Sequence, residues 1–243
     1  MNLPPELIVY LRSSTRVAVL TGAGISQESG LRTFREARDG LWTQYKPEDL
    51  ASREAFAQNP KLVWDWYAMR REKVRGVLPN PGHYALAELE RRIPTFTLIT
   101  QNVDGLHLKA GSANIIELHG NLQRVKCSEC GRATVEWVET EGSVPICLVC
   151  GGVLRPDVVW FGESLPRAAL ETAVLACREC EIFFSIGTSG LVQPAASLAY
   201  AARNRGAKLV EINAEQTSLT EKVDFALQGK SGEILPALLS AAW

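Results

Sequence analysis

No stretch of this 243-residue chain approaches the ~20 uninterrupted apolar residues that a membrane-crossing helix requires. The opening segment, Met1 to Leu20, is fairly apolar, but it lacks a basic leading stretch and is broken by Pro4, Pro5, Glu6 and Arg12. It therefore reads as mature protein and not as a signal peptide. Charge of one sign is missing as well: the formal net charge is −1 and the pI near 6.3, which leaves no global field to hold a polyanion such as DNA. Internal repeats and low-complexity tracts are absent, and 46% hydrophobic with 22% charged residues is ordinary for a globular protein. The expectation is a cytoplasmic, monomeric protein that binds neither membrane nor nucleic acid. A chain of this length can bury a core without disulfides, so cysteine spacing has to be judged on its own terms.

What is present is an alternation of buried strands and helices. A short helix from Pro4 to Arg12 leads into Val17 to Thr21, an apolar, β-branched run stopped by Gly22. Asp39 to Arg75 mixes tryptophans and charges at helical spacing, with Pro47 and Pro60 as punctuation, and closes at the turn-rich Leu78 to Gly82. His83 to Arg92 and Pro194 to Arg205 read as helices, whereas Phe96 to Thr100, Ile115 to Leu118, Ile182 to Ile186 and Leu209 to Ile212 read as buried strands. This rhythm implies an α/β fold built on a doubly wound parallel sheet. The stretch Cys127 to Cys150 interrupts it as a separate module.

In such sheets ligands bind beyond the carboxyl ends of the strands, and those ends are where the polar and glycine residues gather. Gly22-Ala23-Gly24 follows the first strand, where small residues allow backbone N–H groups close to a pyrophosphate; a tight strand-to-helix turn explains the segment equally well. Gln101, Asn102 and Asp104 follow the second strand and offer amide and carboxylate groups, or an Asx turn with a helix cap. His119 lies just past the third, and with an ordinary pKa near 6.5 it is a candidate general base. His83 and His107 read as structural. Gly187, Thr188, Ser189 and Asn213 close two further strands and could bond ribose hydroxyls or phosphate.

Cys127-Ser-Glu-Cys130 and Cys147-Leu-Val-Cys150, sixteen residues apart, are zinc knuckles, with Gly131 and Gly151 supplying the turns. Four thiolates leave no open position for water, so the metal is structural. Disulfides, or a nucleic-acid-binding ribbon, are alternatives; Glu129, Glu136, Glu139 and Glu141 make the module too acidic for the second. Cys177 and Cys180 read as small buried hydrophobes.

Gly22-Ala23-Gly24-Ile25-Ser26, Thr33-Phe34-Arg35, Gln101-Asn102-Val103-Asp104, Glu117-Leu118-His119-Gly120, the paired knuckles and Gly187-Thr188-Ser189 together resemble the sirtuin family along nearly the whole chain. The resemblance implies a Rossmann-like NAD-binding domain (residues 1–38, 83–120 and 156–243) and a smaller domain made of a helical insertion (39–82) and a zinc module (121–155). It implies the cofactors NAD and zinc, acylated lysine side chains as substrate, and transfer of the acyl group with release of nicotinamide, O-acyl-ADP-ribose and free lysine. His119 becomes the catalytic base and Asn102 a catalytic partner. Gly22, Ala23, Gly24, Ser26, Phe34, Arg35, Gln101, Asn102 and Asp104 surround the cofactor's reactive half, while Gly187, Thr188, Ser189, Asn213, Ala214, Glu215 and Ser231 hold its adenosine half. Val159, Phe161, Gly162 and Glu163 resemble the segment that pairs with an extended substrate backbone. Arg32 stands where the family commonly has proline.

Tyr67 and Arg70 are three residues apart on one helical face. They resemble the Tyr-x-x-Arg pair of the branch acting on succinyl-, malonyl- and glutaryl-lysine, which implies a preference for acidic acyl groups. Mono-ADP-ribosyl transfer to protein and a non-enzymatic NAD-sensing module are the competing readings.

Overall fold

The computed structural model describes residues 3–31, 46–139 and 141–243; Arg32, Thr33, Phe34 and Arg35 lie outside them. The strands are β1 (Arg16–Thr21), β2 (Thr95–Thr100), β3 (Ile115–Glu117), β4 (Gly120–Cys127), β5 (Ala133–Thr134), β6 (Leu154–Val158), β7 (Ile182–Ile186), β8 (Lys208–Asn213) and β9 (Phe225–Gln228). The helices are α1 (Pro5–Ser13), α2 (Gly24–Gln27), α3 (Pro47–Leu50), α4 (Arg53–Gln58), α5 (Pro60–Arg75), α6 (Pro81–Arg92), α7 (Leu106–Lys109), α8 (Arg167–Glu179), α9 (Ser197–Arg203) and α10 (Ser231–Ala242). None of the described helices is long and apolar enough to cross a membrane.

Six parallel strands form one sheet in the order β3-β2-β1-β7-β8-β9. Its chain order reverses between β1 and β7, the position at which doubly wound folds open a crevice. Both faces are covered, and the two-residue period of a strand divides β1 between them. Val17 and Val19 join one apolar cluster with Leu7 and Leu11 of α1, Leu86 of α6 and Leu235 of α10. Ala18 and Leu20 join the other, with Ala173 and Cys177 of α8 and Leu198 and Ala202 of α9. Cys177 and Cys180 are thus packed in the core, as the spacing suggested, and burial pushes both thiols up, Cys180 to about 12.

The second sheet is small and antiparallel, in the order β5-β4-β6. Its strands are hard to see in sequence: the β4–β6 register shifts between Gly120 and Val125, which breaks the alternation. Helix α5 lays Val63, Trp66 and Tyr67 against Leu122 and Val158 of this sheet, and Trp64 against Val125, Cys127 and Cys147. Two Asn-Pro pairs start the flanking helices. Asn59 caps α5 by accepting from the Leu62 N–H, and Asn80 caps α6 by accepting from Gly82, each followed by a proline whose fixed φ suits the first turn.

His83 completes the α6 cap, its Nδ1 accepting from the Asn80 N–H at 3.3 Å. Its ring centroid lies 4.8 Å from that of His107, whose Nε2 meets Thr21 Oγ1 at 2.9 Å. Neither His83 Nε2 nor His107 Nδ1 has a partner, and both are buried. Burial therefore lowers His83 to about 4, and burial with the neighbouring ring lowers His107 to about 3. The unfolded chain takes up these protons near pH 6.5 and the folded one does not, so stability is complete above 6.5 and drains away as pH falls towards 4. The denaturant midpoint should fall between pH 7.5 and 5 by an amount worth about 1–3 kcal/mol per ring; an unchanged midpoint would mean that the rings are hydrated in the fold.

Candidate active site

At the sheet's switch point the loops after β1 and β7 meet backbone to backbone. The Gly22 N–H donates to Ile186 O at 3.0 Å, Gly24 N–H to Gly187 O at 2.9 Å, and Gly187 N–H to Ile212 O at 2.9 Å. A Cβ on Gly24 would sit 2.6 Å from Gly187 Cα, and one on Gly187 would sit 2.4 Å from Ile25 N, at a φ of +59°. The first task of these glycines is therefore to let two loops touch, and several of the N–H groups that could face a pyrophosphate are spent on that contact. Ala23 is left exposed at the apex.

Beneath this contact a polar chain fixes the end of β2. Thr21 Oγ1 bonds Thr100 Oγ1 at 2.8 Å, and Thr100 Oγ1 receives the Asn102 N–H at 3.0 Å. Asn102 Nδ2 donates to Gly22 O at 3.0 Å and to Ser26 Oγ at 3.2 Å, an orientation that leaves Oδ1 as the amide's acceptor. Ser26 Oγ donates to Asp104 Oδ2 at 2.7 Å, and the Leu106 N–H to Asp104 Oδ1 at 2.9 Å. Burial raises Asp104 above the usual carboxylate range, opposed by these two donors. The threonines escaped sequence reading because a β-branched residue in a buried strand looks like core.

His119 Nδ1 lies 2.9 Å from Gln101 O, a carbonyl that can only accept. The ring's proton therefore sits on Nδ1, and Nε2 carries the lone pair. Burial lowers this histidine from 6.5, partly opposed by the same carbonyl. Its own backbone oxygen receives the Val159 N–H at 2.9 Å, which ties His119 to the segment 159–163.

In that segment the Phe161 N–H is also spent, on Ala51 O at 2.9 Å, and the Phe161 side chain is exposed. Gly162 adopts φ +79°. The Glu163 carboxylate faces inward, accepting from Arg155 Nη1 at 2.7 Å, Arg53 Nε at 2.7 Å and the Trp160 N–H at 3.0 Å. Burial would raise it, but these donors outweigh burial and hold it at about 2. Arg155 stacks on Trp160 with its guanidinium carbon 3.3 Å from the ring centroid, and Trp160 Nε1 donates to Tyr67 Oη at 3.0 Å. Burial raises Tyr67 to about 12, so it keeps the O–H, and with Trp160 filling one acceptor position that proton is the group Tyr67 can offer. Arg70, half-buried, lies with its guanidinium carbon 5.6 Å from the Tyr67 ring and 4.9 Å from that of Trp66.

On the other side of the crevice Thr188 Oγ1 bonds Ser185 Oγ at 2.8 Å, and Asn213 Nδ2 donates to Thr188 O at 2.8 Å. Ser189, Ala214 and Glu215 are exposed beside them. Ser231 stands apart from this group: it is buried at the start of α10 and donates to Glu28 Oε1 at 3.0 Å.

Cys127, Cys130, Cys147 and Cys150 place their sulfurs within 4.8 Å of one another, with Sγ pairs 127/150 at 3.4 Å and 130/147 at 3.9 Å. Zn–S bonds of ~2.3 Å in a tetrahedron imply S···S edges of about 3.8 Å, whereas a disulfide needs ~2.05 Å. All four thiols are free of disulfides. The donor set fits a closed structural Zn²⁺ site.

Fold and site together define an α/β nucleotide-binding protein with a four-thiolate structural metal centre. The chain belongs to the Sir2 family, whose profile matches residues 22–194. It is 50% identical over 216 residues to the NAD-dependent protein deacylase of Aquifex aeolicus, covering 88% of this chain and 90% of that one. A crystal structure of a Sir2 homolog–NAD complex superposes with a TM-score of 0.93 at 45% identity, covering 99% of this chain and 94% of that chain. A Sir2 structure bound to acetylated peptide superposes at 0.86 with 30% identity, covering 97% and 96%.

Gly187→Ala should destabilise the fold by ~3 kcal/mol or more, combining strain at positive φ with a backbone clash, whereas Gly206→Ala, at φ +90° with nothing within 4 Å, should cost only ~1 kcal/mol. Equal thermal midpoints for the two variants would mean that the loops do not touch.

Proposed function

We propose that this chain, an NAD-dependent protein deacylase, removes acyl groups from lysine side chains with His119 as base and with a preference for succinyl, malonyl and glutaryl groups. The observation that carries the first part is the bond from His119 Nδ1 to Gln101 O, which presents a neutral imidazole with its basic nitrogen at Nε2. NAD would lie along the crevice from the Asn102 side to Asn213 and supply the ribose carbon that accepts the acyl oxygen as nicotinamide leaves, yielding O-acyl-ADP-ribose and free lysine.

This chain's own residues do the rest. Asn102, held by Gly22 O and Ser26, turns a fixed acceptor towards the cofactor's reactive half. His119 takes a proton from a hydroxyl brought to Nε2. The segment Val159 to Glu163 positions the acyl-lysine peptide, with the Arg155–Glu163 pair as its rigid footing. Tyr67 O–H and the Arg70 guanidinium read the acyl carboxylate; burial pushes the Arg70 pKa down, and a guanidinium is a cation at neutral pH.

A sheltered guanidinium–carboxylate bond is worth ~1.5–3 kcal/mol, or roughly ten- to a hundredfold in preference. Arg70→Met should therefore lower kcat/KM on succinyl-lysine peptide by that factor relative to acetyl-lysine peptide; equal losses on both peptides would remove the acidic-pocket reading.

Because His119 must be neutral to act and burial lowers its pKa, the acidic limb of kcat/KM should have its midpoint below pH 6.5, with activity flat from pH 7 to 8. His119→Tyr should abolish formation of free lysine from acyl-lysine peptide while zinc content stays intact. A limb at or above 6.5, or retained turnover, would remove His119 as the base.

A further inference from the structure

The zinc module carries a feature that the deacylase reaction does not use. A groove of about 240 Å³ opens between the segment Thr134 to Val138, which runs on from β5, and the second knuckle, with Trp137, Cys147 and Leu154 among its walls. Aliphatic side chains crowd its rim in the open: Leu148 is 89% exposed, Val138 73% and Ile146 60%, with Val149 also exposed. Scattered single apolar residues on a surface are ordinary, but a contiguous set around a cavity marks an interaction site. The volume is below the roughly 300–1,000 Å³ of small-molecule sites and suits one or two large side chains of a protein ligand.

The charge around it selects the ligand. Residues 127–153 contain Glu129, Glu136, Glu139 and Glu141 against one basic residue, Arg132. Of the cations bordering this stretch, Arg124 and Lys126 pair with Asp157 and Arg155 with Glu163, while Arg71 stacks on Trp137 and faces Glu139, which leaves the other three glutamates against Arg132. A second copy docking on this face through a two-fold axis would bring the same carboxylates together, an arrangement that costs stability. Complementarity therefore favours a basic segment with an apolar anchor.

We propose that this groove is a docking site, distinct from the catalytic crevice, for a lysine- and arginine-rich segment of a partner protein that seats a large apolar side chain between Trp137 and Leu148. The apolar anchor supplies affinity and the glutamates speed and orient the encounter, so binding weakens with salt.

Fluorescence anisotropy on the full zinc-loaded chain tests this with a labelled peptide of alternating lysine, arginine and leucine that contains no acyl-lysine. Saturable binding is expected that weakens at least tenfold in the double variant Ile146→Ser/Leu148→Ser and severalfold in Glu136→Lys or on raising salt from 50 to 300 mM. Excess NAD with acyl-lysine peptide should leave it undisturbed. Zinc content and turnover of a short acyl-lysine peptide, measured in parallel, should match the parent chain, which shows that the variants are folded. Binding that survives the serine variants, an equally tight peptide with glutamate in place of the basic residues, or displacement by acyl-lysine peptide would each overturn the proposal. So would a concentration-dependent dimer in sedimentation that Leu148→Ser abolishes, because a second copy would then be the occupant.

Discussion

The structure depends on one close approach: the loop after β1 lying directly on the loop after β7, with no side chain between Gly24 and Gly187. Parallel strands deliver their carboxyl ends to one edge, but delivery alone leaves a row of separate turns. The bonds from Gly22 to Ile186, Gly24 to Gly187 and Gly187 to Ile212 knit the ends of β1, β7 and β8 into one floor. Asn102 then ties the end of β2 into it through Gly22 O, and His119 follows through Gln101 O. Asn102 and His119 are thus each oriented by a backbone carbonyl of a neighbouring loop. An arrangement held this way needs no reorganisation when a ligand enters.

Burial sets the chemistry of the histidines and separates their roles. All three are pushed towards the neutral form, His83 and His107 to about 4 and 3. The first two lie under the floor, each with one ring nitrogen caged and unpartnered, so their effect is on stability. For His119 the remaining nitrogen is not among the caged atoms, and its other nitrogen is committed to a carbonyl. Imidazoles that burial keeps neutral therefore differ in what they can do, because His119 retains an uncaged lone pair and the others do not.

Much of this was legible in the sequence, for physical reasons that can be named. The buried strands were visible because sheets covered on both faces need unbroken apolar runs, and Val17 to Thr21, Ile182 to Ile186 and Leu209 to Ile212 all appear as strands. The four-thiolate cluster was visible because ligand spacing is local. The small sheet was not, since β4 breaks its own alternation, and β9 was not, since a half-exposed edge strand carries little apolar signal. Site residues whose role comes from a distant partner were also hidden: nothing in Trp160 announces that its N–H meets Tyr67, 93 residues away. Glu163 was noticed for its place in a substrate-binding segment, yet its carboxylate turns inward to Arg155 and Arg53. The glycines were read as making room for a phosphate, and what they make room for first is another loop.

The buried ion pair couples the segment Val159 to Glu163 to Tyr67 of α5. Removing Glu163 would strand the Arg155 charge, whose side chain is only 8% exposed, which is far costlier than losing a surface pair. That penalty keeps Trp160 stacked and keeps its N–H on Tyr67, so the segment Val159 to Glu163 cannot shift without disturbing Tyr67. Specificity built this way is bounded by the energy of the final contact. A carboxylate reader worth ~1.5–3 kcal/mol biases the choice among acyl groups and still admits an acetyl group, which brings no charge to leave unpaired. On the proposed reading, the same scaffold would give a graded acyl preference and not an absolute one, with the grade set at Arg70 and Tyr67 and the chemistry left unchanged at His119.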